Sequence, residues 1–375
     1  LSKEFSLSRF LATLPIPLFM IMSSLFMPFI GRFLDKGAIR SILMTGALVY
    51  GLSLVSLYFA FSYISFMLIF TLPMALGVTM MGNISVSKLI SLWFRKYTGR
   101  ALGIASVGVS FAGFVFPNLT SFLLGDLGLT WREAYLLFGV LIILINVPVV
   151  YLFIVNKPSD INQMPDGEEI AGNAEDTSGI DWTIPDLLKD RNFWVLSLVF
   201  AIQFCSMMGI LSHLTFFSEG AGWSLSWGAF IFSMYAWPAM FSKVFFGWLV
   251  ENKMDARVAV SVAILIQAIA TLLMIFVESP EQMVVLVMIF GFGGGSALPL
   301  SNILFNQAYT NKSFGKARGA AQPFISIFQI SGTLVAARMF DVFGNYELAF
   351  LTLGFILIVP IIAIWFMKIE SKLAS

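Results

Sequence analysis

The chain repeats one pattern from end to end: about twenty or more apolar residues, then a short polar loop carrying lysine or arginine. A helix of that length crosses the hydrocarbon of a bilayer, and a helix satisfies its own backbone polar groups there. Eleven such runs are read, near 7–31, 40–61, 65–93, 101–123, 133–155, 193–217, 226–249, 258–277, 282–308, 319–340 and 347–367. They are too long and unbroken for barrel strands. Composition agrees: 58% of the 375 residues are hydrophobic and 11% charged, against roughly 25% charged in soluble domains. No soluble core of this size hides so much apolar surface. The expected fold is an all-α polytopic membrane protein.

One long polar stretch interrupts the series, between the fifth and sixth runs. It is acidic, rich in Gly and Pro, and reads as a linker over 156–192. Within it "WTIPDLL" is expected to form a short helix, with Thr183 as cap and Pro185 in its first turn. The chain therefore divides into an N-terminal bundle, 1–155, and a C-terminal bundle, 193–375. Lysine and arginine orient it. Of 22 such residues, sixteen fall in alternate loops and three on the opposite face, which places residue 1 outside and the linker and C-terminus in the cytoplasm. The single cysteine, Cys205, excludes an internal disulfide and a Cys-rich metal site. No metal, cofactor or nucleic-acid partner is expected, and the net charge of +1 says nothing about partners.

An internal repeat sharpens the picture. "GRALGIA" (99–105) aligns with "GKARGAA" (315–321), and the same offset sets Gly31 on Gly247 and Asp35 on Glu251. With one residue less, "DLGLTWREAYLLFG" falls on "DVFGNYELAFLTLG". Two parallel repeats with a site between the halves are an arrangement found among transporters. Projecting the sixth run back by the same offset places its counterpart before residue 1. The expectation is two pseudo-symmetric six-helix bundles, the first lacking its opening helix. A sequence that opens "LSKEFSLSRF", without an initiator Met, fits such a truncation.

The loop Gly31-Arg-Phe-Leu-Asp35-Lys36-Gly37-Ala-Ile-Arg40 resembles the signature of the major facilitator superfamily between its second and third helices. "WFRKYTGRALGIASVGVSFAG" (93–113) is similar to the fifth-helix signature of the monocarboxylate-porter and oxalate–formate antiporter branch. "TWREAY" (130–135), "RNFWVL" (191–196) and "FDVFGNYELAF" (340–350) carry the same likeness. The resemblance implies a secondary transporter of small organic anions, monocarboxylates in the first place, working by alternating access as a proton symporter or an anion exchanger. It also implies that the paired acids Asp35 and Glu251, with Arg40, Arg100 and Arg257 near them, act as gating latches. Where this branch carries an arginine in the frame Ser-Arg-x-x-x-Gly-x-x-x-Asp, the chain has Ser242-Lys243, Gly247 and Glu251.

Several residues invite closer reading on physical grounds. Lys243 lies inside an apolar span, where a charge marks either a transport path or a stem that snorkels to the interface. Tyr235 and Ser233 are read near the lysine face, and Pro238 frees backbone groups and bends the helix. Lys88 and Arg338 lie closer to span ends, so the expectation is snorkelling for Lys88 and either snorkelling or pairing with Asp341 for Arg338. His213, the sole histidine, shares a helix face with Gln203 and Ser206, and Asn302 and Asn306 lie four residues apart on one span. These polar residues are candidates for the substrate path, with interhelical hydrogen bonding as the alternative. Gly103, Gly108 and Gly113 read as helix-packing positions, as do the glycines of "GFGGGSA" (291–297), which lack the strand and lysine of a nucleotide loop. No Asp or Glu falls in mid-span.

Two other functions compete. A porter of the same fold for a neutral solute or drug would leave Lys243 structural, and a membrane sensor would need an extramembrane domain that the chain lacks. No enzyme signature is found. The expected partners are a small organic anion, possible coupling protons and the lipid bilayer, with the monomer as the functional unit. The expected location is a cell membrane, the bacterial inner membrane.

Overall fold

The computed structural model describes residues 5, 11, 14–167, 181–252 and 254–368. Part of the expected linker (168–180) and the loop cations Lys3, Arg9, Lys253 and Lys372 lie outside these residues. Among the described residues every regular element is a helix.

Sequence chemistry sets most helix ends. The Pro15–Asp35 helix opens on proline and stops where Gly37 takes a left-handed φ of 85°, with its N–H bonded back to Leu34. Ser62 and Ser65 form a reciprocal cap for Tyr63–Thr71, and Pro73 and Gly82 divide the rest of that span into Pro73–Met81 and Asn83–Trp93. "TWREAY" is a capping box as well. Thr130 accepts from the Glu133 N–H while the Glu133 carboxylate accepts from Thr130 N at 2.8 Å, opening the Trp131–Phe153 helix. Asp190 caps Arg191–Leu211. Pro238 lacks the N–H that Met234 would accept, and the expected span over 226–249 breaks at Tyr235 into Leu225–Met234 and Ala236–Glu251.

Nine helices among the described residues are long and apolar enough to cross a membrane. The remaining two expected spans are also helical, as Thr98–Ser121 and as the broken pair at Tyr235.

Two compact units form, and neither coincides with a sequence half. The first comprises 1–95, 115–184 and 311–323; the second comprises 96–114, 185–310 and 324–375. Each therefore takes a short segment from the other repeat. Leu54, Leu57, Phe66 and Met74, packed by Trp131 and Tyr135, make a core in the first unit. Ile210, Leu214, Val287, Phe290, Phe350 and their neighbours make the core of the second.

Bare backbone explains why the borrowed segments belong where they do. In the first unit a Cβ built on Gly31 would stand 2.0 Å from the Gly315 carbonyl oxygen, and one on Gly319 would stand 2.6 Å from that of Met27. In the second unit a Cβ on Gly247 would stand 2.3 Å from the Gly99 oxygen, and one on Gly103 would stand 2.5 Å from that of Lys243. Such distances exclude any side chain, so helices cross at backbone contact. The sequence expectation for the fifth-helix glycines needs one correction. Gly103 sits at a close crossing, whereas a Cβ at Gly108 or Gly113 would meet nothing within 4 Å. "GFGGGSA" does serve packing: Gly293 abuts the backbone at Ala263 and Gln267, and Gly295 abuts Ala239.

These contacts set a paired test. Alanine gains about 1 kcal/mol of helix propensity over glycine, but at Gly247 it collides with a carbonyl that has no rotamer to escape into. Gly247→Ala is expected to lose about 1–3 kcal/mol from overpacking, seen as a lower unfolding temperature in detergent. Gly108→Ala, pointing into open space, is expected to leave that temperature unchanged or slightly raised.

Candidate functional site

The two acids related by the repeat hold equivalent positions, one in each unit. Asp35 ends its helix where glycine contact brings the start of the Lys312–Phe343 segment against it. Its Oδ1 accepts from Gly315 N at 3.0 Å and its Oδ2 from Lys316 N at 2.7 Å. A carboxylate is favoured there by the positive end of the helix. Glu251 does the same in the second unit, accepting from Arg100 N at 2.6 Å and from Arg100 Nε at 2.5 Å. Arg100 and Lys316 are themselves repeat equivalents, so one latch geometry is built twice.

The partners of these acids differ from expectation. Lys88, read as a snorkelling residue, is buried and its Nζ lies 2.9 Å from Asp35 Oδ1, both side chains being at most 4% exposed. The nearby acid outweighs the distant headgroups. Arg40 does not pair with Asp35. Its N–H donates to Asn156 Oδ1 at 2.7 Å, its guanidinium donates to the Tyr151 carbonyl and stacks on the Tyr151 ring, and it thereby secures the end of the Trp131–Phe153 helix. Arg257 likewise turns from Glu251 to Asp255, at 2.5 Å, and lies over Trp365. Arg338 is exposed and forms no ion pair with Asp341. The linker joins the first latch from outside: Asp181 pairs with the Lys316 ammonium, which holds its carboxyl below the usual range, and Trp182 N donates to Ser313 Oγ at 3.0 Å.

Lys243 is a buried charge of another kind than Lys88. It is 5% exposed, and its Nζ donates to the Ser106 carbonyl at 2.9 Å and to Ser110 Oγ at 2.6 Å. No carboxylate among the described residues pairs with it. The close crossing at Gly103 puts the lysine backbone against the Thr98–Ser121 helix, and the stem then runs along that helix toward the next turns. Ser242 beside it donates to the Phe292 carbonyl and fixes the rotation of the helix. An uncompensated ammonium in such a place costs several kcal/mol of solvation. Its equivalent in the first repeat is Met27, whose carbonyl meets Gly319 just as that of Lys243 meets Gly103. The scaffold is symmetric there; the charge is not.

The other candidates are not gathered around the lysine by any contact. His213 is buried, with Nε2 at 3.0 Å from the Thr333 carbonyl and Nδ1 at 3.1 Å from Tyr346 Oη. A carbonyl only accepts, so in the neutral ring Nε2 carries the proton and Nδ1 accepts from tyrosine. Both nitrogens are engaged within the protein. Gln203 and Gln267 bond across two helices at 3.4 Å. The Tyr235 hydroxyl donates to Met207 Sδ at 3.2 Å, and Ser233 donates to its own helix, at the Phe230 carbonyl, so neither contacts Lys243. Asn302 is wholly buried and Asn306 half-buried on the same face of their helix. Sequence reading missed Ser106 and Ser110. Their signal was present as a spacing: Gly103 and Ser110 lie seven residues apart, two turns along one face.

Comparison with known proteins gives the class. A family profile described as Major Facilitator Superfamily matches residues 1–280 and 228–375. The chain belongs to the major facilitator superfamily, a family of membrane transporters. It is similar to an MFS-type transporter of Gibberella moniliformis, 23% identical over 85% of this chain and 72% of that protein. It is similar also to monocarboxylate transporter 13 of Bos taurus, 24% identical over 71% of this chain and 59% of that protein. The chain thus spans about three-fifths of the bovine relative's length. Among solved structures, the E. coli fucose:proton symporter matches in fold with a TM-score of 0.74, at 14% identity, covering 97% of this chain and 92% of that one. The human organic anion transporter MFSD10 matches with a TM-score of 0.71 at 16% identity, covering 93% and 82%.

The buried pair beneath the first latch gives a test by double substitution. Lys88→Met strands a buried carboxylate and is expected to cost about 3–5 kcal/mol, seen as lost yield and a lower unfolding temperature. Adding Asp35→Asn to it is expected to recover most of that loss. A double variant no more stable than Lys88→Met would overturn the pairing.

Proposed function

We propose that this chain carries small organic anions, monocarboxylates in the first place, across a membrane by alternating access. The observation that carries the reading is Lys243: a buried ammonium, bonded to a carbonyl and a hydroxyl, with no carboxylate among the described residues to neutralise it. A permanent counter-ion would make the site useless for an anion. Its absence leaves the charge for a ligand. The bovine and rat relatives named as monocarboxylate transporter 13 support the same substrate class. Lysine, a point charge without arginine's fork, suits a single carboxylate.

In this reading the C-terminus and linker lie in the cytoplasm, on the side rich in lysine and arginine. The latches at Asp35 and Glu251 then hold the cytoplasmic ends of the helices together and must open in each cycle. Coupling is to protons or to a returning anion. The relatives described above come from fungi and mammals, so they lend the expected bacterial membrane no support. A second reading, a porter for neutral solutes, is favoured by the same two hydrogen bonds of Lys243, which would then only tie two helices together.

Uptake of radiolabelled mono- and dicarboxylates into proteoliposomes separates the two. Lys243→Gln is expected to abolish anion uptake with the protein still folded and inserted, and Lys243→Arg to retain part of it. Undiminished uptake by Lys243→Gln would end the anion reading. Asp35→Asn and Glu251→Gln are expected to shift cysteine labelling between the two ends of the path while leaving protein in the membrane. Unchanged labelling in both variants counts against the latches.

A further inference from the structure

We infer that Ser110 is a substrate-positioning residue: with Lys243 it forms a two-donor clamp that takes both oxygens of one carboxylate. The inference rests on the reading of Lys243 as the anion site and adds a second group and a ligand geometry to it.

The reasoning starts from hydrogen-bond capacity. An ammonium has three donors, and the protein accepts two of those of Lys243, at the Ser106 carbonyl and at Ser110 Oγ. One N–H is left. Ser110 receives a bond from lysine and so has its own O–H left to give. Some serines inside these helices return that proton to the carbonyl one turn back, Ser53 to Val49, Ser56 to Leu52, Ser106 to Leu102 and Ser218 to Leu214, while the buried hydroxyls of Ser23, Ser197, Ser206 and Ser261 neither give nor receive a bond. Ser110 is different. The carbonyl one turn back is that of Ser106, which accepts from Lys243, and Ser110 makes no bond to it or to any other acceptor among the described residues.

An N–H and an O–H thus stand side by side, with their heavy atoms 2.6 Å apart. A planar carboxylate accepts from two adjacent donors at once, and charge assistance strengthens both bonds. There is room for one. Ser110 is only half-buried, and Gly113, three residues on and about 60° around the helix from it, borders open space, unlike Gly103 at the crossing below. The clamp also supplies what a lone lysine lacks. A spherical anion is held by charge alone, whereas the hydroxyl adds directional preference for a carboxylate.

The test uses the full chain in proteoliposomes, with pyruvate, lactate and acetate as labelled probes and bromide as a competing spherical anion. Losing one charge-assisted hydrogen bond corresponds to about tenfold in affinity. Ser110→Ala is therefore expected to raise KM for the best-carried probe about tenfold, with the maximal rate nearly kept. Inhibition by bromide is expected to stay as in the unsubstituted protein. Ser110→Thr, which keeps the hydroxyl, is expected to restore KM. If Lys243→Gln blocks uptake while Ser110→Ala leaves KM unchanged, the clamp is wrong and the anion site stands. A parallel loss of carboxylate and bromide binding in Ser110→Ala, or no rescue by Ser110→Thr, also overturns it. If none of the three probes enters, or Lys243→Gln carries them undiminished, the anion reading falls and the clamp with it.

Discussion

Contact between bare backbones is the constraint on which the rest of the structure depends. Where Gly31 meets Gly315 and Gly99 meets Gly247, no Cβ separates the helices. The consequence is electrostatic as much as steric. A carboxylate at the end of one helix reaches the N–H groups of the other only because the axes lie this close, and Asp35 and Glu251 both use that reach. Four glycines, two in each repeat, thereby fix which short segment each compact unit takes from the other half.

The same crossings position the buried lysine. Gly103 and Gly319 are repeat equivalents, and each lies against the carbonyl of a residue that is itself a repeat equivalent, Lys243 in one case and Met27 in the other. Duplication supplied two matching niches. Only one was given a charge, and the helix beside it offers Ser106 and Ser110 to hold that charge in place. The other niche has Met27 in place of the lysine, with Gln322 and Ser326 as the repeat equivalents of the two serines. Ser110 has a serine, Ser326, as its repeat equivalent, so the two niches differ chiefly in the one side chain that is lysine in one and methionine in the other.

Much of this was legible in the sequence, and the limits have physical causes. The apolar runs gave the membrane fold because bilayer thickness leaves few alternatives. The constant offset between the repeats paired Asp35 with Glu251 before any geometry was known, and Pro238 marked the break at Tyr235. Contact partners were harder. Lys88 lies 53 residues from Asp35, and nothing in its own span distinguishes a lysine that snorkels from one that meets an acid. Arg40 and Arg257 sit near the latch acids in sequence, yet a carbonyl and a nearer aspartate claim them. Gly103, Gly108 and Gly113 look alike as letters. Their five-residue steps rotate them to different faces of the helix, and only the first meets a neighbour.

In the proposed cycle Lys243, with no carboxylate partner among the described residues, also decides which form of the protein feels the membrane potential. A charge that moves across the bilayer gains or loses about 2.3 kcal/mol per 100 mV. With Lys243 protonated and its niche empty, the binding element carries one positive charge, and an arriving carboxylate cancels it. In the proposed cycle the loaded form is therefore electrically silent, while the empty form does electrical work whenever the position of Lys243 shifts within the field. Where no anion is carried back, the voltage acts on the return of the empty protein, and the direction in which that return runs downhill sets the side on which substrate accumulates.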